Sequence, residues 1–395
     1  MRHTVLIFVG LLLAQPACAG NLRTALDQAW DRNPDARVLE ARRAESDAQA
    51  VAANSLLPGA PALVVGHRSD QLNDDAGARE WEAGVEMPMW LPGQRGARQR
   101  EAHAGRSGLE ASIRALRLKL AGELRETIWQ LRATQAQIQL DEARVQTAEK
   151  LAQDVAKRVR AGELARTDLN LAQNEWRSAQ AILLQSRSEL LQAEQAYAAL
   201  TGDTTPPEDS AEDARAQALS DDHPLLEEAR LAIDVAQAQV EVARQSRRDN
   251  PEVALSTRRE RNAREPYANT VALELRLPLA TAARNLPLTS AAQTALTGAR
   301  SEYRRLGVAL EHRRQQAEQA LAAADQLLAL AQQQRDAARE NLGLIQKAFD
   351  LGETDLFTLM RVRTAAFEAE QAYSQQQIAQ ALARARLNQA QGVLP

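Results

Sequence analysis

Two stretches of this 395-residue chain run for more than sixty residues, each with apolar side chains at three- and four-residue steps and then a single glycine break. The first extends from about Gln94 to Arg160 without a proline; its stripe is Leu109, Ile113, Leu116, Leu120, Leu124, Ile128, Leu131 and Ile138. The second, from about Thr289 to Asp350, carries Leu321, Leu328, Ala331, Ala338, Leu342, Ile345 and Phe349. That spacing is coiled-coil-like. At ~1.5 Å per residue each helix would be on the order of 100 Å long. The breaks read Arg160-Ala161-Gly162-Glu163-Leu164 and Asp350-Leu351-Gly352-Glu353-Thr354. A glycine after a helix accepts the left-handed conformation and turns the chain back. Thr167-Asp168 and Thr354-Asp355 are capping candidates for the return helices. Composition agrees: about a fifth of the residues are alanine, and five Trp, four Tyr and four Phe are too few for several large cores. Small side chains let long helices approach closely.

The rods belong to a duplicated plan. One half opens on Asn33-Pro34, runs helical to Asn54 and continues through Leu56-Leu57-Pro58; the other opens on His223-Pro224, runs helical to about Arg248 and reaches Asn250-Pro251. Each proline sets a first helical turn or stops a helix. Between helix and rod in both halves lies an alternating region. In Glu80 to Met87, apolar and polar residues trade places; Tyr267, Val271, Leu273, Leu275 and Leu277 face one way, and Ala268, Thr270, Ala272, Glu274 and Arg276 the other. With weaker partners at Ala62–Arg68 and Glu252–Arg261, these make hairpins over 61–88 and 252–278, four strands in all. Trp81, Val85, Val271, Leu273 and Leu275 form an apolar face, and Glu and Arg the other, as on the wall of a water-filled barrel. Trp81, Trp90 and Tyr267 sit near strand ends, where aromatic girdles belong. Two hairpins covering a soluble core, with the rods in a solid bundle, is the other architecture the pattern allows. Residues 202–222, with Pro206-Pro207 and many acids, read as a surface linker between repeats 20–201 and 223–395.

The N-terminus reads as an exported leader: Arg2-His3, an apolar run from Thr4 to Ala14, then Ala17-Cys18-Ala19, with cleavage expected before Gly20. Cys18 also admits a lipidated N-terminus, although Gln15 stands where a lipobox leucine is expected. Net charge of −4 excludes a strongly basic nucleic-acid binder. His67, His103, His223 and His312 form no ligand-spaced pair, and no phosphate loop or nucleophile elbow is present, so no enzyme, metal site or cofactor is expected.

Taken in order, Asn33-Pro34, Leu57-Pro58, the strand-exit motif Pro88-Met89-Trp90-Leu91-Pro92-Gly93-Gln94-Arg95, the turns around Gly162 and Gly352 with the residues that follow them, and the ending Leu387-Asn388-Gln389-Ala390 make the chain resemble the TolC-like outer membrane factor family. The strand-exit motif and short length are most similar to the CzcC-type subunits of heavy-metal efflux. The resemblance implies a mainly α protein with a small β part: four membrane strands and two long helical hairpins per chain, in a homotrimer whose β-barrel continues into a periplasmic α-barrel. It implies a passive outer membrane channel for heavy-metal cations, or alternatively for drugs or other small molecules. A periplasmic adaptor would couple it to an inner-membrane RND-type pump. A periplasmic coiled-coil adaptor is the rival from another class. By carry-over, Gly162, Glu163, Leu164, Gly352, Glu353 and Thr354 would contact the adaptor, and Asp168, Thr358 and Arg361 would lie at the periplasmic gate. Thr358 and Arg361 stand where some members carry acidic rings. Asp168 is expected to pair with Arg361 or Arg363 in the closed state.

Overall fold

A computed structural model describes residues 21–73, 75–214, 222–262 and 265–395; the leader and Cys18 fall outside them. The chain runs α1 (Leu22–Arg32), α2 (Pro34–Asn54), β1 (Ala62–Ser69), β2 (Arg79–Pro88), α3 (Gln94–Arg160), α4 (Arg166–Thr201), α5 (Pro224–Gln245), β3 (Glu252–Arg261), β4 (Ala268–Arg276), α6 (Ala282–Asp350) and α7 (Leu356–Ala390). Both rods and all four strands stand where the patterns place them. α6 begins seven residues earlier than expected, with Pro287 inside it. A proline that close to the N-terminus forfeits one ladder hydrogen bond, and the rest of the 69-residue helix outweighs the loss. α1 was not anticipated, although its signals are present. Asn21 accepts from the Thr24 amide at 3.0 Å, and Leu22, Ala25, Leu26, Ala29 and Trp30 share its buried stripe.

Each half repeats the same start. The Asn33 side chain accepts from the Asp35 and Ala36 amides, capping α2 ahead of Pro34; His223 Nδ1 accepts from the Leu225 amide at 3.2 Å, capping α5 ahead of Pro224. His223 is buried, and that burial pushes its imidazole pKa down. The folded protein therefore holds it neutral while the unfolded chain protonates near pH 6.5. Stability at this cap should be complete above that pH and fall as acid takes the histidine below it. His223→Asn keeps a capping acceptor without a titrating one. Its melting temperature should lose the extra decline that the wild type shows between pH 7 and pH 5; parallel declines would refute this.

The helices pack side by side. In the half distant from the sheet the order is α4, α3, α7, α6; nearer the sheet it is α2, α3, α5, α6. α3 is therefore an inner member throughout, and α6 stands at an edge throughout. The main core gathers on the sequence stripe of α3. Ile113, Leu120, Leu124, Ile128 and Leu131 pack with α1 and with Ala193 and Tyr197 of α4. α6 buries only Leu296, Leu310, Ala324, Ala331 and Phe349, and leaves Val308, Leu327, Leu330 and Leu344 at least half exposed. The opposite edge also shows apolar residues, with Val51 on α2 and Leu184 and Leu191 on α4 exposed.

The stretch between the halves is not a free surface linker over its described part. Pro206, Pro207 and Ser210 are buried. Arg132 donates to the Pro207 carbonyl at 2.6 Å. Glu212 meets Arg125, whose side chain is 2% exposed, at 2.9 Å. Arg125 also donates to Gln389 Oε1 and the Val393 carbonyl, so this strap ties α3 to the C-terminal end of α7. Residues 202–214 carry no helix or strand, and the packed partner on α3 turns them inward.

Candidate functional site

The two hairpins form one antiparallel sheet in the order β1-β2-β3-β4, and among the described residues the outer edges of β1 and β4 are unpaired. Residues directly opposite one another share a face. Leu63, Val85, Leu255 and Leu273 make one cross-strand row; Val65, Ala83, Thr257 and Val271 the next toward the turns; Met87, Val253 and Leu275 the next toward the helices. All five expected apolar residues lie on this face. Trp81 is 53% exposed, Val271 77%, Leu273 75% and Leu275 57%, and Val85 is also exposed, so none of the described residues covers them. Among the described residues none forms a core beneath this sheet, which speaks against two hairpins lying on a soluble core.

The other face is charged, with six glutamates and three arginines, and each of those arginines is paired. Arg258 reaches Glu80 at 2.9 Å and Glu82 at 3.6 Å; Arg68 reaches Glu80 at 3.3 Å; Arg276 reaches Glu252 at 3.3 Å. An apolar exposed face backed by a polar one suits a sheet with lipid on one side and water on the other. At the helix end of the sheet the strand-exit motif has a clear job. Gln94 Oε1 accepts from the Leu91 amide, and the amides of Gln94 and Asn250 exchange hydrogen bonds at 3.1 and 2.9 Å. Asn250 also donates to the Met89 carbonyl, joining both halves where strand becomes rod. Trp90 is half-buried and donates to the Ser55 carbonyl at 3.2 Å, so it serves this junction instead of standing free in a girdle.

At the far end, both rods finish in the same cap. Gly162 has φ +80°, with Glu163 N–H donating to the Arg158 carbonyl and Gly162 N–H to the Val159 carbonyl. Gly352 has φ +78°, with Glu353 N–H on Ala348 O and Gly352 N–H on Phe349 O. These are Schellman closures. An added Cβ would meet nothing within 4 Å at either glycine, so the backbone angle alone requires glycine there. Gly162→Ala or Gly352→Ala should cost about 1 kcal/mol each, read as a lower urea midpoint, and leave the packing unchanged.

The tips are brought together. Arg158 of α3 lies 3.6 Å from Asp350, donates to the Phe349 carbonyl and stacks over the Phe349 ring at 4.8 Å. Beneath them, Leu151, Ala152, Val155, Ala172, Phe349, Leu356 and Leu359 form one cluster from all four helices. Gly162, Glu163, Gly352 and Glu353 are exposed, whereas Leu164 and Thr354 turn partly inward.

Asp168 and the second-repeat residues differ in role. Asp168 Oδ2 accepts from the Ala165 amide at 3.1 Å, so it caps α4 from its third position while Ala165 is the N-cap; Thr167 is not the cap. Asp355 is the N-cap of α7 and accepts from the Thr358 amide at 2.7 Å, which holds its carboxyl below the usual range. Within one chain, Asp168 makes no ion pair with Arg361 or Arg363. Arg361 is exposed, while Arg363 is drawn inward, donates to Gln346 at 2.6 Å and has its pKa pushed down by burial. Among the described residues no group of three His, Cys, Asp or Glu could hold a metal ion, and no helix is long and apolar enough to cross a membrane.

Solved channels share this architecture. CusC matches with a TM-score of 0.76 at 16% identity, covering 94% of this chain and 92% of that one. The Campylobacter jejuni CmeC outer membrane channel matches at 0.75 and 14%, covering 94% and 85%. The Vibrio cholerae outer membrane protein VceC matches at 0.75 and 18%, covering 94% and 96%. No curated protein sequence matches significantly. The family model for outer membrane efflux proteins matches residues 25–203 and 216–393, one segment for each half of the duplicated plan. Sheet, paired rods and nearly the whole sequence thus place the chain in the outer membrane efflux protein family.

Proposed function

We propose that this protein is the outer membrane channel of a tripartite efflux system, acting as a homotrimeric passive conduit. The observation that carries this reading is the open architecture of the single chain. A four-stranded sheet with both edges unpaired leads into a layer of helices that also has apolar side chains on both edges. Unlike edges, α6 on one side and α2 with α4 on the other, suit a head-to-tail contact that closes into a ring. Three copies supply twelve strands, wide enough for water, whereas four alone cannot close and eight pack nearly solid. The charged sheet face would line the pore, and the apolar face would meet outer membrane lipid.

The turns at Gly162–Leu164 and Gly352–Thr354, exposed at their glycines and glutamates, are the adaptor-binding tips in this reading. The periplasmic adaptor links them to an inner-membrane RND-type pump, which supplies the energy. Heavy-metal cations are the cargo class, on the resemblance of the strand-exit motif to CzcC-type subunits; drugs or other small molecules are the second reading. Metal and drug susceptibility of a deletion strain, with and without the gene restored, separates these. Asp168, Thr358 and Arg361 mark the gate. Since Asp168 also caps α4, Asp168→Asn tests its charge while keeping an acceptor. It should raise leak conductance in planar bilayers, and wild-type closure would remove Asp168 from the gate.

The primary test is extraction and mass. The protein should leave the outer membrane only with detergent and show the mass of three chains. A soluble periplasmic monomer would overturn the proposal and favour the coiled-coil adaptor.

A further inference from the structure

The exposed face of the sheet changes character toward its turns. Beyond the row of Val65, Ala83, Thr257 and Val271 comes the row His67, Trp81, Arg259 and Asn269, and then Ser69, Arg79 and Arg261. His67 stacks on Trp81 with ring centroids 4.1 Å apart. The guanidinium groups of Arg259 and Arg261 lie over the Tyr267 ring at 4.6 and 5.2 Å, and Arg261 also donates to the Gly77 carbonyl. Arg79 and Arg259 are exposed and Arg261 is half-exposed. Among the described residues none of these three arginines has an ion-pair partner, whereas Arg68, Arg258 and Arg276 on the opposite face each have a glutamate. Of the turn carboxylates, Asp70 accepts from the Ala78 amide and Glu265 from Asn262.

Depth explains why such charges can stand on an otherwise apolar face. Eight to ten residues separate Leu277, an exposed apolar residue at the helix end of this face, from Asn269 and Tyr267. That is about 27–34 Å along the strand, or roughly 20–26 Å of depth at a tilt near 40°. The arginines therefore stand at the far border of a ~25 Å apolar band, at headgroup level, where a lipid-facing cation costs least. A guanidinium fork fits phosphate bidentately. The flanking Trp81, His67 and Tyr267 rings and the apolar row beside them fit the body of an amphiphile, which a free anion would leave uncovered.

Resting on the membrane reading above, we infer that Arg79, Arg259 and Arg261, with Trp81 and Tyr267, form a belt that binds the phosphorylated headgroups of glycolipid in the leaflet at the turn end of the barrel. The full-length protein in neutral detergent can be titrated with bisphosphorylated lipid A, with its fully dephosphorylated form and with inorganic phosphate, bound lipid being read by native mass spectrometry. The phosphorylated form should bind roughly tenfold or more tightly than the dephosphorylated one, and millimolar inorganic phosphate should not displace it. R79Q/R259Q/R261Q should abolish the preference, while R276Q on the opposite face keeps it. If the triple variant does not assemble, R259Q alone should reduce the preference, and the headgroup comparison on the wild type needs no variant. Equal binding of the two lipids, an unchanged preference in the variants, or displacement by inorganic phosphate would each overturn the belt. Quenching of Trp81 by brominated acyl chains, scored against Trp81→Phe, tests the membrane reading separately. Quenching without headgroup preference would sink the belt and leave the barrel standing.

Discussion

Glu212→Ala should destabilise the folded protein by about 3–5 kcal/mol, the cost of leaving a buried charge without its partner. Arg125 is 2% exposed and cannot turn to water; its guanidinium is held by both carboxylate oxygens of Glu212, by Gln389 Oε1 at 2.6 Å and by the Val393 carbonyl at 3.0 Å. Asn388 donates to the same carboxylate at 3.0 Å. Removing Glu212 therefore leaves the Arg125 cation without its counter-charge where the inter-repeat strap, α3 and the C-terminal end of α7 meet. The double variant Arg125→Met/Glu212→Leu removes both charges and should cost distinctly less, because replacing a buried pair by apolar groups avoids the uncompensated ion. Urea unfolding of the detergent-solubilised protein reads both. Equal losses in the two variants would show that the charge left behind is not what matters.

Leu273→Arg is expected to have the second large effect. Leu273 lies in the middle apolar row of the sheet with Leu63, Val85 and Leu255, and is 75% exposed. At the centre of a lipid-facing band an arginine costs about 2–4 kcal/mol. In a ring of three copies the sites are far apart and their costs add, giving roughly 6–12 kcal/mol per barrel. That is enough to remove most of the assembled, membrane-extracted protein. Glu274→Arg, one residue along on the polar face, should leave the amount in the outer membrane nearly unchanged. Similar losses for the two substitutions would show that the apolar face does not meet lipid.

Local pattern was enough for the elements. The period-two alternation of Glu80–Met87 and of the stretch from Tyr267 to Leu277, the α3 stripe and the two glycine breaks all lie within short windows, and each became the strand, helix or Schellman turn that its spacing dictates. The capping of α7 by Asp355 was legible for the same reason, since an N-cap acts over three residues. For α4 the pair Thr167-Asp168 contains the capping acid, but Asp168 works backward from the third helical position, an alternative that sequence order leaves open. By its place near a strand end, Trp90 suits a girdle. Its role is fixed by the Ser55 carbonyl thirty-five residues away, which no local pattern contains.

By itself the sequence determined the duplicated plan, the lengths of the rods, where they reverse and which strand face is apolar, because these follow from periodicity and backbone preference within a few turns of chain. Tertiary structure alone decided that the two hairpins join into one sheet with β2 beside β3, that the acidic strap locks inward on Arg125 and that Arg158 docks the two tips. Each of these depends on contacts between residues far apart in the chain, whose geometry only the assembled fold creates.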